Sequence, residues 1–146
     1  MPDVPQGVVY IDTSALVKLV VREAESDALE QTLPDLGELA TSAITSIELA
    51  RAVARARADA TAVVADDYTI LALLAALAEI PLDVEVRSAA ASLTPIELRT
   101  LDAIHLASAL TLGDDLAAVI AYDKRMQDAA RSRTISVLAP GTGPSR

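Results

Sequence analysis

Short runs of apolar and β-branched residues alternate with helical patterns along most of the chain, and this order limits the possible folds more than any other feature. The run over residues 8–11 is followed at once by a helical pattern that opens at Thr13 and Ser14. The run over 116–121 is followed in the same way by a helix over 123–130. Strands joined by helices are typical of parallel sheets, so we expect an α/β fold whose central parallel sheet is covered on both faces.

The other predicted elements lie between these two strand–helix units. We expect helices over 26–33, 45–57, 66–78, 88–93 and 101–112, and short strands over 38–42, 82–86 and 135–138. Pro34 and Gly113 end two of the helices, because proline cannot continue a helix and glycine commonly follows the last helical residue. We find no repeat and no linker. The sequence therefore predicts one domain over 1–146 with loose ends at 1–7 and 139–146.

Composition limits the chemistry that is available. The 146 residues are 52% hydrophobic, which is enough for a substantial core, and none is cysteine. Disulfides, thiolate catalysis and cysteine-based zinc sites are thereby excluded, whereas oxygen ligands remain. Residues 1–7 carry Asp3 and two prolines instead of a basic region and an apolar region, so we expect no signal peptide. The longest apolar run, 70–78, is too short to span a bilayer, and we predict a cytoplasmic location.

The net charge of −9 argues against nucleic-acid binding, since such proteins usually carry a basic face. A bound metal ion could reverse the charge locally at an acidic site. Basic residues do cluster, but such runs are most often solvated helix faces; the clusters contain Arg51, Arg55 and Arg57, and then Lys124, Arg125, Arg131 and Arg133. With three tyrosines as the only aromatic side chains, base stacking can contribute little, so RNA would be held mostly through its backbone.

Four acidic residues lie where a parallel sheet would bring them together. Asp12 and Asp123 each follow a predicted strand directly, and Glu48 and Asp102 lie in the first turns of predicted helices. Ligands of open α/β sheets bind outside the carboxyl ends of the strands, where helix N-termini also gather. The sequence therefore predicts that all four carboxylates line one pocket.

Each acid also has a purely structural interpretation. Asp12 or Thr13 could cap the first helix, Asp123 could cap its own helix, and residues 45–48 fit a capping box in which Glu48 could also pair with Arg51. An acid near the start of a helix, such as Asp102, is favoured by the helix dipole. Four carboxylates packed together without a cation would nevertheless have raised pKa values and would destabilise the fold. Their joint placement therefore favours a metal site.

An acidic site with oxygen ligands alone is suited to phosphoryl transfer assisted by Mg²⁺ or Mn²⁺. The carboxylates would hold the ion, and the hydroxyls of Thr13 and Ser14 could orient a phosphate or a water molecule. Thr100, two residues before Asp102, is a further supporting hydroxyl. His105 follows Asp102 by three residues and is either part of a metal-ligand pair or a structural residue that hydrogen-bonds a neighbour.

Each of the four acids lies in a distinct sequence block. The blocks are residues 11–19 (IDTSALVKL), 46–49 (SIEL) with Arg51, 98–109 (LRTLDAIHLASA) and 121–126 (AYDKRM). In this order they resemble the four motifs of PIN domains, and of VapC toxins in particular. The blocks occur in the family's order and extend from about residue 8 to residue 138, so the resemblance covers nearly the whole predicted domain.

This resemblance implies a three-layer α/β/α sandwich and endoribonuclease activity that depends on Mg²⁺ or Mn²⁺. It also implies a homodimer, an RNA substrate and a VapB-type antitoxin that inhibits the enzyme. By motif position, Asp12, Glu48, Asp102 and Asp123 are the metal-binding and catalytic residues. The chain departs from the family at Ala121, where a serine or threonine is frequent, so the role of Asp123 is the least certain to carry over.

Three alternatives stay open. A phosphatase with an aspartyl nucleophile would begin similarly, but its pattern needs a second aspartate two residues after Asp12, where this chain has Ser14. A receiver-like signalling domain would need paired acids at the first strand and a phospho-accepting aspartate at a middle strand, and we find neither. The most serious alternative is a PIN-fold binding module without catalysis, which would act only through its antitoxin or dimer surfaces.

Overall fold

The structure, a computed structural model, describes residues 5–143. Within them lies one sheet of five parallel strands, in the order β3-β2-β1-β4-β5. The strands are β1 (Val8–Ile11), β2 (Leu39–Ser42), β3 (Ala78–Ile80), β4 (Leu116–Ile120) and β5 (Val137–Leu138). The predicted α/β class with a central parallel sheet is confirmed.

Seven α-helices in the described residues cover the sheet. They are α1 (Thr13–Val20), α2 (Ser26–Thr32), α3 (Thr45–Arg57), α4 (Asp67–Ala75), α5 (Val84–Ser92), α6 (Thr100–Leu110) and α7 (Lys124–Ser132). Among residues 5–143, no helix is long and apolar enough to cross a membrane.

The two faces of the sheet bury different side chains. Val9 and Ile11 of β1 point into a core formed with α1 and α3, where Leu16 and Leu49 are fully buried. Tyr10, between them on the strand, points to the opposite face and into a second core formed with α6 and α7. This alternation is what a strand covered on both faces requires, and it gives the helix–sheet–helix layers of an α/β/α sandwich.

The predicted strand over 82–86 is wrong. The edge strand is β3, which pairs with β2 through Ala40 and Ala78, and the predicted helix over 66–78 therefore ends early, at Ala75. The Asp83 carboxylate accepts a hydrogen bond from the Val86 N–H and starts α5, so the helix predicted over 88–93 begins at Val84. Alanine and leucine favour a helix in isolation, but pairing at the sheet edge overrides that local preference here.

Of the predicted loose ends, residues 1–4 and 144–146 lie outside the described part of the chain. Residues 5–7 precede β1 and 139–143 follow β5, both without regular secondary structure. The later segment contacts the rest of the fold, since the Tyr122 hydroxyl donates a 2.7 Å hydrogen bond to the Pro140 carbonyl.

Strand order determines which loops meet. β1 and β4 are neighbours in register through Ile11 and Ile120, so the residues that follow these two strands lie side by side. The Asp12 N–H extends this pairing by donating to the Ile120 carbonyl at 3.0 Å. β2 lies on the other side of β1 and leads into α3. The carboxyl edge of the sheet thus gathers the starts of α1, α3 and α7.

Candidate active site

The four acids predicted to share a pocket line one cavity of about 220 Å³ at this edge of the sheet. Its wall also contains Thr13, Ser14, Val17, Ala52, Arg55 and His105. Three of the acids, Glu48, Asp102 and Asp123, also border an adjoining hollow of about 350 Å³. Residues from α1, α3, α6 and the turn before α7 therefore converge on a single acidic surface.

Asp12 is buried at the end of β1 and occupies the cap position of α1 without capping it. One carboxylate oxygen, Oδ2, accepts a 2.8 Å hydrogen bond from the Ser14 hydroxyl. The same hydroxyl oxygen accepts a 3.0 Å hydrogen bond from the Tyr122 N–H. Ser14 therefore ties Asp12 to the turn that follows β4, and the capping interpretation of Asp12 is wrong.

Glu48 does not form the capping box that its sequence context allows. The residue before α3 is Ile44, and Glu48 Oε1 instead accepts hydrogen bonds from Thr13 Oγ1 at 2.8 Å and His105 Nε2 at 2.6 Å. Burial alone would raise the pKa of Glu48, but these two hydrogen bonds and the charge of His105 lower it below its ordinary value. Glu48 is therefore an ionised carboxylate with one oxygen already occupied.

Asp102 lies half-buried in the first turn of α6. Burial raises its pKa, and the negative charges of Asp123 and Asp12 raise it further, against a smaller opposing effect of Arg125. Within residues 5–143 its carboxylate makes no hydrogen bond or ion pair of its own. The carboxylates of Asp102, Asp123 and Asp12 therefore repel one another.

Asp123 is the acid for which the structural interpretation holds. Its Oδ2 accepts a 3.2 Å hydrogen bond from the Met126 N–H and so caps α7. Ala121, the position without a hydroxyl, is buried, and its carbonyl accepts a 2.7 Å hydrogen bond from the Gln127 side chain. Asp123 thus combines a capping role with a place in the acidic cavity.

His105 makes the contacts expected of the structural alternative. It is buried on α6, with Nδ1 2.6 Å from the Tyr10 hydroxyl and Nε2 3.2 Å from Thr13 Oγ1, in addition to its contact with Glu48. Burial would lower the pKa of His105, but Glu48 and Asp12 outweigh this effect and raise it. Sequence reasoning missed Tyr10, whose single signal was a polar hydroxyl within an apolar strand.

The supporting hydroxyls are divided between the two hollows. Thr13 and Ser14 lie in the cavity with the four acids, where they donate to Glu48 and Asp12. Thr100, the first residue of α6, is exposed and borders the adjoining hollow together with Arg99 and Arg125.

The residues present fit a divalent cation. Carboxylate and hydroxyl oxygens are the ligands that Mg²⁺ and Mn²⁺ prefer, and the raised pKa of Asp102 marks the repulsion that a cation would relieve. In the part of the chain that the structure describes, no three acidic or histidine groups already stand together at metal-binding distances. Glu48 Oε1 accepts from His105 and Asp123 Oδ2 accepts from the backbone of α7, so one oxygen of each of these carboxylates is already engaged.

A parallel α/β/α sandwich with an acidic cavity at the carboxyl edge of its sheet is the architecture expected of PIN domains. Residues 9–132 match the PIN domain family, and the chain belongs to that family. The resemblance predicted from the four sequence blocks is confirmed.

The chain is similar to named ribonucleases of Mycobacterium tuberculosis over nearly its whole length. It is 42% identical to Ribonuclease VapC35 over 137 residues, which cover 91% of this chain and 97% of that protein. It is 42% identical to Ribonuclease VapC46 over 132 residues, covering 90% and 97% respectively. Ribonuclease VapC47 is 35% identical over 141 residues, covering 91% and 97%.

Proposed function

We propose that this chain is a metal-dependent endoribonuclease and the toxin of a VapBC-type toxin–antitoxin pair that acts in the cytoplasm. The observation that carries the proposal is the convergence of Asp12, Glu48, Asp102 and Asp123 on one cavity, although these residues are far apart in the sequence. Membership of the PIN domain family and the near full-length similarity to ribonucleases support it.

A bound Mg²⁺ or Mn²⁺ ion would polarise the scissile phosphate and lower the pKa of the attacking water. Asp12 and Asp102 are the residues best placed to hold it, because the first is fixed by Ser14 and the second projects from a helix without a competing hydrogen bond in residues 5–143. Glu48 and Asp123 complete the acidic surface. Thr13 and Ser14 position the Glu48 and Asp12 carboxylates through hydrogen bonds.

The test is RNA cleavage by variants that keep side-chain shape but remove one charge. We expect Asp12→Asn and Asp102→Asn each to lower the cleavage rate at least tenfold, about 1.4 kcal/mol in the barrier. Asp114→Asn is the matched control, because Asp114 is exposed in the turn before β4, at the opposite edge of the sheet. Full activity of Asp102→Asn would refute the site assignment, and full activity in EDTA would refute the metal.

The alternative is a PIN-fold binding module that has lost catalysis. It predicts that Mn²⁺ binding, measured by calorimetry, is absent from the wild-type chain or unaffected by Asp12→Asn. The convergence of four carboxylates on one cavity favours the enzyme, since a module without a cation would keep their repulsion without benefit.

The antitoxin is proposed to pack an amphipathic helix on the apolar side chains that begin near the end of α3. Between residues 50 and 64, Val53 is buried but Val63 is 68% exposed, and Tyr68 and Leu71 on α4 are exposed as well. A basic side chain of that partner could reach the acidic cavity and displace the cation.

A homodimer is proposed to form through a different apolar surface. Leu82 and Ile96 are exposed and line a hollow of about 420 Å³ between α5 and α6. A charge introduced into one surface should disrupt only the assembly that uses that surface. Leu71→Glu should release the co-expressed antitoxin and leave the dimer intact. Ile96→Glu should disrupt the dimer and leave the antitoxin bound. Sedimentation of both variants with and without the neighbouring gene product measures this. Loss of both assemblies in either variant would contradict the assignment.

A further inference from the structure

His105 is the only histidine of the chain, and its buried ring joins four structural elements. From α6 it contacts Tyr10 of β1 through Nδ1 at 2.6 Å. Through Nε2 it contacts Glu48 of α3 at 2.6 Å and Thr13 of α1 at 3.2 Å. Tyr10 is fully buried, so its hydroxyl and the ring form a polar connection from inside the core to the acidic cavity.

The partners of the ring determine where its proton lies. The Glu48 carboxylate can only accept in its 2.6 Å contact with Nε2, so Nε2 carries the proton between them. In a neutral ring Nδ1 must then accept, and the Tyr10 hydroxyl donates to it. A tyrosine phenol carries its proton at neutral pH and, at 2.6 Å from Nδ1, is placed to be that donor. With Nε2 protonated and Nδ1 facing Tyr10, neither ring nitrogen is available to a metal.

The same contacts distinguish the two oxygens of Glu48. Oε1 accepts hydrogen bonds from both Thr13 and His105, whereas Oε2 accepts none from residues 5–143. Two donors on one oxygen fix the orientation of the carboxylate and leave the second oxygen as the one able to reach a cation or a water bound to it.

We propose that Tyr10 and His105 are positioning residues, which hold Glu48 by Oε1 so that Glu48 presents Oε2 alone to the cation or its water. The proposal rests on the proposed metal-dependent function of the same cavity. It also assigns Tyr10 a part in the site, because the bond between its hydroxyl and Nδ1 holds the ring in the orientation in which Nε2 donates to Glu48.

The first test needs no metal. Since the chain has one histidine, the nitrogen resonances of the imidazole in an NMR spectrum report His105 alone. In the metal-free protein, at a pH that keeps the ring neutral, we expect the Nε2–H tautomer. We expect Tyr10→Phe to shift the Nδ1 resonance, because Nδ1 loses its hydrogen-bond donor while Glu48 still accepts from Nε2–H. Tyr122→Phe is the control, because it removes a hydroxyl bonded to the Pro140 carbonyl. Identical ring resonances in wild type and Tyr10→Phe would overturn the proposal.

The second test measures Mn²⁺ affinity by calorimetry. Tyr10→Phe should weaken binding about tenfold, as the loss of such outer partners commonly does, and saturating Mn²⁺ should restore cleavage. His105→Gln keeps a donor near the Nε2 position and His105→Asn keeps a group near the Nδ1 position, so the glutamine variant should bind Mn²⁺ more tightly. A purely structural role would lower the melting temperature of both variants without this order of affinities.

The two tests separate failure of the positioning from failure of the function. Wild-type Mn²⁺ affinity in Tyr10→Phe, or equal affinities of the glutamine and asparagine variants, would overturn the positioning while the metal-dependent enzyme stands. Cleavage by wild type in EDTA would overturn the metal-dependent function and with it the role of Oε2, whereas the NMR comparison would still decide whether the Tyr10 hydroxyl is bonded to Nδ1 of His105.

Discussion

Asp12 and Asp123 occupy equivalent places, each after a sheet strand and before a helix, yet their carboxylates make different contacts. Asp12 is held by Ser14 and does not cap α1, whereas Asp123 accepts from the Met126 N–H and caps α7. The sequence placed all four acids in one pocket, because strand ends and helix starts are readable from periodicity. It could not reveal the Tyr10–His105 contact, which joins residues 95 positions apart and depends on how α6 packs on β1.

This difference leads us to expect that Asp123→Asn is more tolerant than Asp12→Asn. Asparagine can keep the α7 cap through its side-chain oxygen, and a weakened ion site can be refilled at raised Mn²⁺ by mass action. Initial cleavage rates against Mn²⁺ concentration, with folding checked by thermal melting, measure the difference. Recovery of Asp12→Asn at high Mn²⁺ while Asp123→Asn stays inactive would reverse the ranking.

Asp102 should lower the stability of the fold when no metal is bound. Its raised pKa comes from burial and from Asp123 and Asp12, so its carboxylate destabilises the metal-free fold. We therefore expect Asp102→Asn to raise the melting temperature in EDTA, by about 2–4 °C for each kcal/mol gained in a chain of this size.

The direction of the Asp102 pKa shift determines how the stability gained in Asp102→Asn depends on pH. A pKa raised in the folded state gives full stability below the ordinary aspartate value of 3.8, and the stability is lost as pH rises through the raised pKa. The difference between Asp102→Asn and wild type should thus be present at pH 7 and shrink as pH falls toward 3.8. Scanning calorimetry over pH checks this, with Asp114→Asn expected to change little. An asparagine variant less stable than wild type at pH 7 would contradict it.

At the scale of elements, the accuracy of prediction followed the strength of the periodic signal. β1, β4 and α3 were readable because each is long or strongly patterned and buried on a defined face. β3 was not, since three residues at the sheet edge carry too little pattern and follow an alanine-rich helix. The capping box of α3 failed for another reason: its Glu48 is drawn to His105 of α6, a contact that the α3 sequence alone cannot show.

The starts of α6 and α7 place positively charged side chains beside the acids. Arg99 precedes α6, Arg125 lies in the first turn of α7, and both are exposed at the hollow shared with Asp102, without an ion pair within residues 5–143. We expect these guanidinium groups to bind backbone phosphates next to the scissile one.

The salt dependence of RNA binding tests this expectation. The slope of log affinity against log salt is negative, and each lost phosphate contact reduces its magnitude by about 0.7 for a single strand. The double variant Arg99→Gln, Arg125→Gln should therefore reduce the magnitude of the slope by about 1.4. Binding of a 2′-O-methyl RNA, which resists cleavage, measures the slope without turnover. Arg131→Gln, near the other end of α7, should leave it unchanged. An unchanged slope in the double variant would exclude these phosphate contacts.

At the scale of the whole molecule, the net charge of −9 pointed away from nucleic acid, and the structure shows where part of that charge is concentrated. Composition counts charges but does not locate them, so it could not distinguish a repulsive surface from a cation site bordered by arginines. The family motifs resolved this conflict at the sequence level, and the PIN domain fold is confirmed.

The central claim is that the acids at the carboxyl edge of the sheet hold a divalent cation. Anomalous diffraction from crystals soaked in Mn²⁺ at a concentration that supports cleavage tests it most directly. We predict a Mn²⁺ peak in the acidic cavity, in contact with Asp12 and Asp102, that is lost in Asp12→Asn. A cavity without a peak, or a peak that persists unchanged in Asp12→Asn, would contradict the claim.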